Sequence, residues 1–400
     1  MHLRPHLLLG SLGILTLLGC YSHDHNDYGP SSSYVVNAIA VADIDANGLP
    51  DILGLVSTDF GGAPTQGYVS TRLQMSAGSF ALPPTRFGVG TGPANLVVMD
   101  VNGDGKPDLV VANADDHSVT VRFADPAKPG FFLPAIVLST PGRTPLDVAA
   151  GNLSGHTDGR LDVVVAASGA NNVLVFTQTA TGTFNAPVTY AVGGDPQAVT
   201  VADLDNNTFA DVAVATSANT VSVLLQTAAG TFASAVDYTT GVQPVAIKAA
   251  NLSGHVDGKL DLLTANYGAA ISPGTQGLSV LIQGAAGTFA APIHYTTDYR
   301  ASGLAVGDLN GDGKPDVAVA CQGLPGYPGA VSVFLQNASG AGALLPAVNY
   351  PGVWGPMGVA IADMDGDGRP DLVLADGDIV VRLNSTTTPG TFGSPNLFYN

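Results

Sequence analysis

The chain alternates short apolar runs with turns rich in polar residues, and it does so seven times. In "VGDLNGDGKPDVAVAC" (306–321), a turn with three aspartates and an asparagine separates two apolar segments. "VMDVNGDGKPDLVVAN" from Val98 and "IADMDGDGRPDLVLAD" from Ile361 repeat this pattern. Aligned on the first polar residue of the turn, the seven copies begin at positions 43, 100, 152, 203, 251, 308 and 363. A period near fifty residues indicates a repeat architecture.

Each repeat contains four predicted strands. In the sixth repeat these are "SGLAVGDL", "DVAVAC", "VSVFLQ" and "LLPAVNY", separated by loops and turns rich in Gly, Pro or Asn. Short Val-rich runs with such boundaries favour strands. Four antiparallel strands per repeat form a propeller blade, and seven blades close a ring. A parallel β-helix fits less well, because its coils are shorter, at roughly 20 to 30 residues.

The sequence therefore predicts an all-β protein, a seven-bladed β-propeller of four-stranded antiparallel blades over residues 34–400. The C-terminal "TFGSPNLFYN" has the form of a complete fourth strand. We therefore expect every blade to consist of consecutive residues, with no strand exchanged between the two ends of the chain.

Composition agrees with an all-β fold. All 32 acidic residues are aspartates, and the chain has 50 glycines and 27 prolines. Aspartate favours turns, whereas glutamate, which is absent, favours helices. Twenty of the aspartates lie in the seven repeated turns, so most of the −18 formal charge is concentrated there. With only 14 Lys and Arg residues, binding to nucleic acid is not expected.

The first 33 residues differ from the rest. Residues 1–20 contain an apolar stretch, Leu7 to Leu18, that is too short to span a bilayer and is typical of a signal peptide. "LLGC" resembles the bacterial lipobox, which predicts lipidation of Cys20. Residues 21–33 are then a flexible tether, and the protein is lipid-anchored in the bacterial cell envelope, outside the cytoplasm. The alternative is an ordinary secretory peptide with an incidental cysteine.

The acidic turns have the spacing of a cation site. In the sixth turn Asp308, Asn310, Asp312 and Asp316 occupy positions 1, 3, 5 and 9, and Gly313 at position 6 permits a sharp turn. Side-chain oxygens at alternate positions converge when the turn curls, and a carbonyl near position 7 can join them. Oxygen ligands at this spacing suit Ca²⁺, as in the first half of an EF-hand loop. The alternative is a set of acidic turns without metal.

These loops, the closing "GTF…P…Y" strand and the sevenfold count resemble FG-GAP/VCBS repeat proteins. Members of that family share the propeller of the integrin α-subunit head and of some seven-bladed lectins. The resemblance covers residues 34–400. It implies calcium in the loop between the first two strands of a blade, on the face away from any ligand.

About five calcium sites are expected. Their predicted ligands are Asp43, Asp45, Asn47 and Asp51; Asp100, Asn102, Asp104 and Asp108; Asp203, Asp205, Asn207 and Asp211; Asp308, Asn310, Asp312 and Asp316; and Asp363, Asp365, Asp367 and Asp371. The loop from Asp363 has the most charge and should bind most tightly. The loop from Asp203 should bind most weakly, because Thr208 replaces the glycine. The third and fifth turns begin with Asn152 and Asn251 and carry insertions, so metal and metal-free turns both remain open there.

No catalytic motif occurs in the chain. We therefore expect a calcium-stabilised binding or scaffold module, not an enzyme, that recognises a glycan or a protein. A polysaccharide-degrading enzyme of the propeller lyase type is the alternative. Candidate ligand-binding residues lie in loops opposite the calcium loops, unless their rings pack between blades. They are Tyr267, Tyr299, Arg300, Tyr327 and Trp354.

Overall fold

The computed structural model describes residues 34–58, 66–254, 258–268, 277–285, 287–324, 326–337 and 342–398. The predicted signal peptide, the tether and Cys20 lie outside the described residues and stay predictions. No helix long and apolar enough to cross a membrane occurs in the part of the chain that the structure describes.

The described residues form strands and no helix. In chain order the strands are β1 (Tyr34–Ala42), β2 (Asp51–Thr58), β3 (Gln66–Arg72), β4 (Gln74–Ser76), β5 (Ser79–Phe80), β6 (Thr85–Thr91), β7 (Pro93–Met99), β8 (Asp108–Asn113), β9 (Ser118–Arg122), β10 (Ile136–Ser139), β11 (Thr144–Gly151), β12 (Asp162–Ser168), β13 (Asn172–Phe176), β14 (Val188–Ala191), β15 (Pro196–Ala202), β16 (Asp211–Thr216), β17 (Thr220–Leu224), β18 (Gln226–Ala228), β19 (Thr231–Phe232), β20 (Val236–Thr239), β21 (Pro244–Ala250), β22 (Asp261–Asn266), β23 (Leu278–Leu281), β24 (Ile293–Tyr295), β25 (Ala301–Gly307), β26 (Asp316–Cys321), β27 (Gly329–Phe334), β28 (Val348–Val353), β29 (Gly358–Ala362), β30 (Asp371–Asp376), β31 (Asp378–Arg382) and β32 (Asn396–Phe398).

These strands make seven four-stranded antiparallel sheets, the blades of a β-propeller. Blade 1 contains β1, β2, β3 and β6, and blade 4 contains β15, β16, β17 and β20. The other blades are β7–β10, β11–β14, β21–β24, β25–β28 and β29–β32, and β4–β5 and β18–β19 are two-stranded ribbons. The predicted fold class is confirmed. Every blade consists of consecutive residues. β1 pairs with β2 along its length, and Val36 also forms an isolated bridge to Gly377 of blade 7.

The second strand of each blade is the most deeply buried. Every residue of β8, β16, β22, β26 and β30 is buried, because these strands have neighbours on both edges and a blade against each face. Hydrophobic clusters fill the space between neighbouring blades. One cluster joins Val110 of blade 2 to Val163 of blade 3, and another joins Ile52 of blade 1 to Val373 of blade 7. The second of these clusters closes the ring.

Hydrogen bonds between blades reinforce this closure. The Gln74 side-chain amide of blade 1 donates to the Met364 carbonyl in the acidic loop of blade 7 at 2.6 Å, and Gly78 N–H donates to the same carbonyl at 2.9 Å. Equivalent side-chain amides bond the acidic loop of the preceding blade elsewhere in the ring. These donor–acceptor pairs are Gln226 and Leu153, Gln283 and Leu204, Gln336 and Leu252, and Asn384 and Leu309. The acidic loops therefore form part of the contacts between blades.

Candidate metal centres and ligand face

The acidic loops connect the first and second strands of each blade, as predicted. Since all blades have the same strand order, the loops share one end of the propeller, the metal-loop face. In blade 1, carboxylate oxygens of Asp43, Asp45 and Asp51 lie within 4.8 Å of one another. The same holds for the aspartates at positions 1, 3 and 9 of the loops of blades 4 and 7, which are Asp203, Asp205 and Asp211, and Asp363, Asp365 and Asp371. Three negative charges at this distance repel one another, so these clusters could hold a metal ion.

Position 3 is an asparagine in the loops of blades 2 and 6. Asn102 and Asn310 still contribute an oxygen, but these loops carry one carboxylate less at that position than the loops of blades 1, 4 and 7. Amide and carboxylate oxygens are both ligands of Ca²⁺. The five loops therefore have the same pattern of oxygen atoms, with three aspartates each in blades 1, 2, 4 and 6 and four in blade 7.

Backbone N–H groups fix the acidic side chains within each loop. In blade 2, Asp100 Oδ1 accepts from Gly103 N–H at 2.7 Å, and Asp100 Oδ2 accepts from Gly105 N–H at 2.7 Å. Asn102 Oδ1 accepts from Asp104 N–H at 2.8 Å, and Asp104 Oδ1 accepts from Lys106 N–H at 2.9 Å. Such bonds hold acidic turns with or without an ion. Asp100 Oδ1 also accepts from Asp104 N–H at 3.1 Å, whereas the other three oxygens keep a second lone pair for a ligand.

The aspartate at position 9 has a second role that the sequence did not predict. Asp108 is buried, and its Oδ2 accepts from Val101 N–H at 2.9 Å while its Oδ1 accepts from Ala124 N–H at 2.7 Å. It therefore ties the loop to the end of the third strand. Burial raises the pKa of this carboxyl to about 6, against the backbone hydrogen bonds that favour its charged form. Burial raises the pKa of the equivalent carboxyls to about 6 as well, namely those of Asp51, Asp211 and Asp371.

Two positions of each loop have left-handed backbone conformation. Position 6 has a positive φ, +82° at Gly105 and +84° at Gly368, and Thr208 is forced to +74°. The predicted left-handed conformation of Thr208 is confirmed. Position 4 is also left-handed, with a φ of +62° at Asn206, which the sequence did not predict. Asparagine tolerates this conformation, whereas a β-branched residue does not, so Thr208 is the strained residue of the blade 4 loop.

We expect Thr208→Gly to stabilise the protein by about 1 kcal/mol, because glycine adopts this conformation without steric cost. Gly368→Thr in blade 7 is the matched reverse change. A Cβ at Gly368 would meet no atom within 4 Å, so only backbone strain should act. Urea unfolding in saturating calcium measures both effects. Opposite signs are expected, and an unchanged stability in Gly368→Thr would contradict the strain argument.

The loop of blade 3 is closed by a histidine. His156 Nε2 lies 3.2 Å from Asp162 Oδ1 and 2.8 Å from Ser154 Oγ, and Asn152 Oδ1 accepts from His156 N–H at 2.7 Å. These hydrogen bonds hold the turn with or without an ion. In blade 5, Ser253 N–H and Oγ–H both donate to Asp261 Oδ2, and residues 255–257 lie outside the described residues.

The five candidate ligand residues lie together at the opposite end of blades 5 to 7. Tyr267 Oη donates to Gln322 Oε1 at 3.2 Å, and Gln322 N–H donates to the Arg300 carbonyl at 3.1 Å. Gly323 N–H donates to the Tyr299 carbonyl, and Gly329 N–H donates to the Trp354 carbonyl, both at 3.3 Å. All five therefore border the loop between β26 and β27, which carries Tyr327. We call them the ligand strip, which consists of Tyr267, Tyr299, Arg300, Tyr327 and Trp354.

The strip combines exposed rings with a cation. Tyr327 is 66% exposed and Trp354 is 65% exposed, so these two rings do not pack between blades. Tyr267, Tyr299 and Arg300 are partly buried. The Arg300 guanidinium lies over the Tyr267 ring, 5.6 Å from its centroid, in a cation–π contact.

A buried carboxyl positions the backbone of Trp354. Asp376 accepts from Trp354 N–H at 2.9 Å and from Gly355 N–H at 2.6 Å. Its pKa is raised from the ordinary 3.8 to about 6. Burial is the main cause and the charge of Asp378 adds to it, while the two N–H bonds and Arg382 oppose the rise. Because the folded pKa is above the unfolded one, this carboxyl stabilises the protein most below pH 3.8. That contribution is lost as the pH rises through about 6.

Trp354 is the only tryptophan, so its fluorescence should report this titration. We expect a change in emission with a midpoint near the pKa of about 6 for Asp376. In Asp376→Asn, which cannot ionise, the transition should be absent. A midpoint near the ordinary value, or the same transition in Asp376→Asn, would contradict the assignment.

Comparisons with known proteins agree with this geometry. The FG-GAP-like repeat family matches residues 157–214, 256–319 and 308–374, and the FG-GAP repeat family matches residues 91–121. A comparison with curated protein sequences finds no match.

Two solved structures share the fold. A lectin of Agrocybe aegerita that recognises non-reducing terminal N-acetylglucosamine is 19% identical, with a TM-score of 0.56 over 90% of this chain and 94% of that one. BBS1N, solved in complex with ARL6DN, is 13% identical, with a TM-score of 0.55 over 90% of this chain and 95% of that one. At these identities the likeness concerns the fold alone. From its repeats and its seven blades, the chain belongs to the FG-GAP repeat family of β-propellers.

Proposed function

We propose that this chain is a calcium-stabilised binding module of the bacterial cell envelope that carries its ligand on the face opposite the metal loops. The observation that carries the proposal is the division of chemistry between the two faces. Clustered carboxylates lie at one end of the blades, and exposed aromatic rings with an arginine lie at the other. The module binds its ligand without converting it.

Calcium would be held by the oxygens at positions 1, 3, 5 and 9 of five loops, which begin at Asp43, Asp100, Asp203, Asp308 and Asp363. When bound, it supplies positive charge that offsets the repulsion among the carboxylates. The protein's own residues link each loop to the rest of the propeller. Position 9 ties each loop to its own blade, and a carbonyl of several loops accepts a bond from the next blade. A neutralised loop would therefore stabilise two blades.

The ligand strip favours a glycan over a protein. Tyr327 is 66% and Trp354 is 65% exposed, whereas the energetically dominant residues of protein interfaces cluster in well-packed pockets. A flat exposed ring suits the apolar face of a pyranose, and the polar groups beside it can serve the hydroxyls. The lectin that shares this fold recognises a terminal sugar, so the fold is compatible with glycan binding.

A glycan array probed with the purified protein in millimolar calcium tests this function. We expect a carbohydrate to bind and Trp354→Ala and Tyr327→Ala each to weaken it by at least about tenfold, or 1.4 kcal/mol. Leu82→Ala is the matched control, because Leu82 is 77% exposed in blade 1, away from the strip. Capture of a protein in place of any glycan, or release of cleaved product from a polysaccharide, would replace the proposed function.

The envelope location depends on Cys20. We expect Cys20→Ser to move the protein from the membrane fraction to the soluble fraction, because the lipidated side chain is lost. Membrane fractionation followed by immunoblotting measures this. Retention of Cys20→Ser on the membrane would contradict the lipid anchor and leave the binding function untouched.

A further inference from the structure

Arg300 occupies a backbone position that suits glycine. It directly precedes β25, the first strand of blade 6, and has a φ of +55°. The residue directly before β7 in blade 2 is Gly92, with a φ of +58°, and the residue directly before β21 in blade 5 is Gln243, with a φ of +53°. Three blades therefore begin with this conformation, which glycine adopts without steric cost. An arginine here strains the backbone, which is compatible with a role for its side chain.

The guanidinium of Arg300 has unused hydrogen-bond donors. Its Nε is buried without a hydrogen-bond partner among the described residues. The contact with the Tyr267 ring stabilises the positive charge of the guanidinium but provides no acceptor for its N–H groups. Arg160 and Arg382 also have one buried guanidinium nitrogen without a partner, but each has an acceptor for another nitrogen. Arg160 donates to Asp158 at 2.7 Å, and Arg382 Nη1 donates to the Gly393 carbonyl at 2.7 Å. Arg300 is therefore positioned by Tyr267 but lacks the acceptor that these arginines have.

We infer that Arg300 binds the carboxylate of an acidic sugar, a uronate unit, whose ring face packs on the exposed rings of Tyr327 or Trp354. This inference rests on the proposed glycan-binding function and names its ligand class. A planar guanidinium matches a carboxylate with two parallel N–H···O bonds, and a partly buried one gains more from the pair than a fully exposed one.

The charge of the protein makes the position of this cation important. The chain carries 32 aspartates against 14 Lys and Arg residues, so the protein as a whole repels an anionic polymer. A uronate chain would then be attracted to Arg300 rather than to the protein surface as a whole. An acidic peptide could satisfy the guanidinium as well, but it would leave the two exposed rings without a flat apolar partner.

The test compares trigalacturonate with its methyl ester, which keeps the sugar rings and removes the charge. Titration calorimetry of the full chain in excess calcium should show binding of the acid and at least tenfold weaker binding of the ester. Arg300→Gly should lose this discrimination without a fall in melting temperature, because glycine relieves the backbone strain. Arg300→Lys should keep the preference for the acid but bind it less tightly. Arg86→Gln is the matched control, since Arg86 also lies over a ring, that of Tyr68, but on an exposed outer strand of blade 1.

Each contrary result has a separate meaning. Equal binding of acid and ester, or full discrimination by Arg300→Gly, would overturn the role of Arg300 and leave the glycan function intact. Binding of a neutral glycan alone would do the same. Failure of every glycan would overturn the proposed function, and binding of an acidic peptide in their place would overturn the ligand class. A melting temperature lowered in Arg300→Gly would show that the side chain serves the fold instead.

Discussion

Chelation of calcium should lower the melting temperature by about 10 °C or more. A ligand bound only by the folded state adds about 2.7 kcal/mol per site at a hundredfold excess over its Kd, and typical domains have only ~5–15 kcal/mol in total. Each additional kcal/mol shifts the midpoint by a few degrees or less in a chain of this size. Several loops also bond the following blade, so loss of the ions should loosen contacts between blades. Thermal melts in EDTA and in millimolar calcium measure the effect.

The loops should differ in their contribution. Asp367→Ala should lower the melting temperature in calcium more than Asp205→Ala, because the loop of blade 7 has four aspartates and the loop of blade 4 is strained at Thr208. The loop of blade 7 also contains the Met364 carbonyl that bonds blade 1, so its ion would support ring closure. In EDTA the difference in melting temperature between the two variants should shrink. What remains should reflect the loss of the ion pair between Asp367 and Arg369 at 3.1 Å. Identical melts of the two variants in calcium would contradict the ranking.

Asp108→Ala should destabilise the protein by about 2–6 kcal/mol, even without calcium. The change removes the acceptor of three N–H groups, those of Val101, Asn102 and Ala124, and the bonds from Val101 and Ala124 are buried. Each donor that is left buried and unpaired costs about 1–3 kcal/mol. Asp108→Asn retains one carbonyl oxygen and should cost less.

The control for this prediction is Asp104→Ala in the same loop. Asp104 is exposed and accepts one backbone bond, from Lys106 N–H at 2.9 Å. Urea unfolding in EDTA isolates the structural role, because no metal contributes to either variant. Equal stability of the Asp108→Ala and Asp104→Ala proteins under these conditions would mean that position 9 acts as a ligand only.

The blades could be predicted because their signals are local. Alternation of Val-rich runs with Asp, Gly and Pro turns fixes where each strand begins and ends, and the period fixes the number of blades. The strain at Thr208 could also be predicted, because the glycine of the other loops identifies a left-handed position. Position 4 was missed, although glycine marks it in three loops, at Gly103, Gly311 and Gly366, because Ala46 and Asn206 occupy it in the other two.

Contacts between blades could not be predicted. The bond between Gln74 and Met364 joins residues 290 positions apart, and it exists only because the ring brings the first and last blades together. The same is true of Arg300, whose stacking on Tyr267 and unpaired Nε depend on how a connection packs against a neighbouring blade. A glutamine or an arginine in a loop carries no sequence signal for such a contact, because one repeat alone does not specify its partner.

The number of calcium ions retained per chain tests the account most directly. The protein is equilibrated in millimolar calcium, desalted, and its metal content is measured by mass spectrometry against protein concentration. We expect about five ions per chain from the five proposed loops, and about one fewer in Asp367→Ala. A wild-type protein that retains no calcium, with the same melting temperature in EDTA, would show that the aspartates are ordinary turn residues.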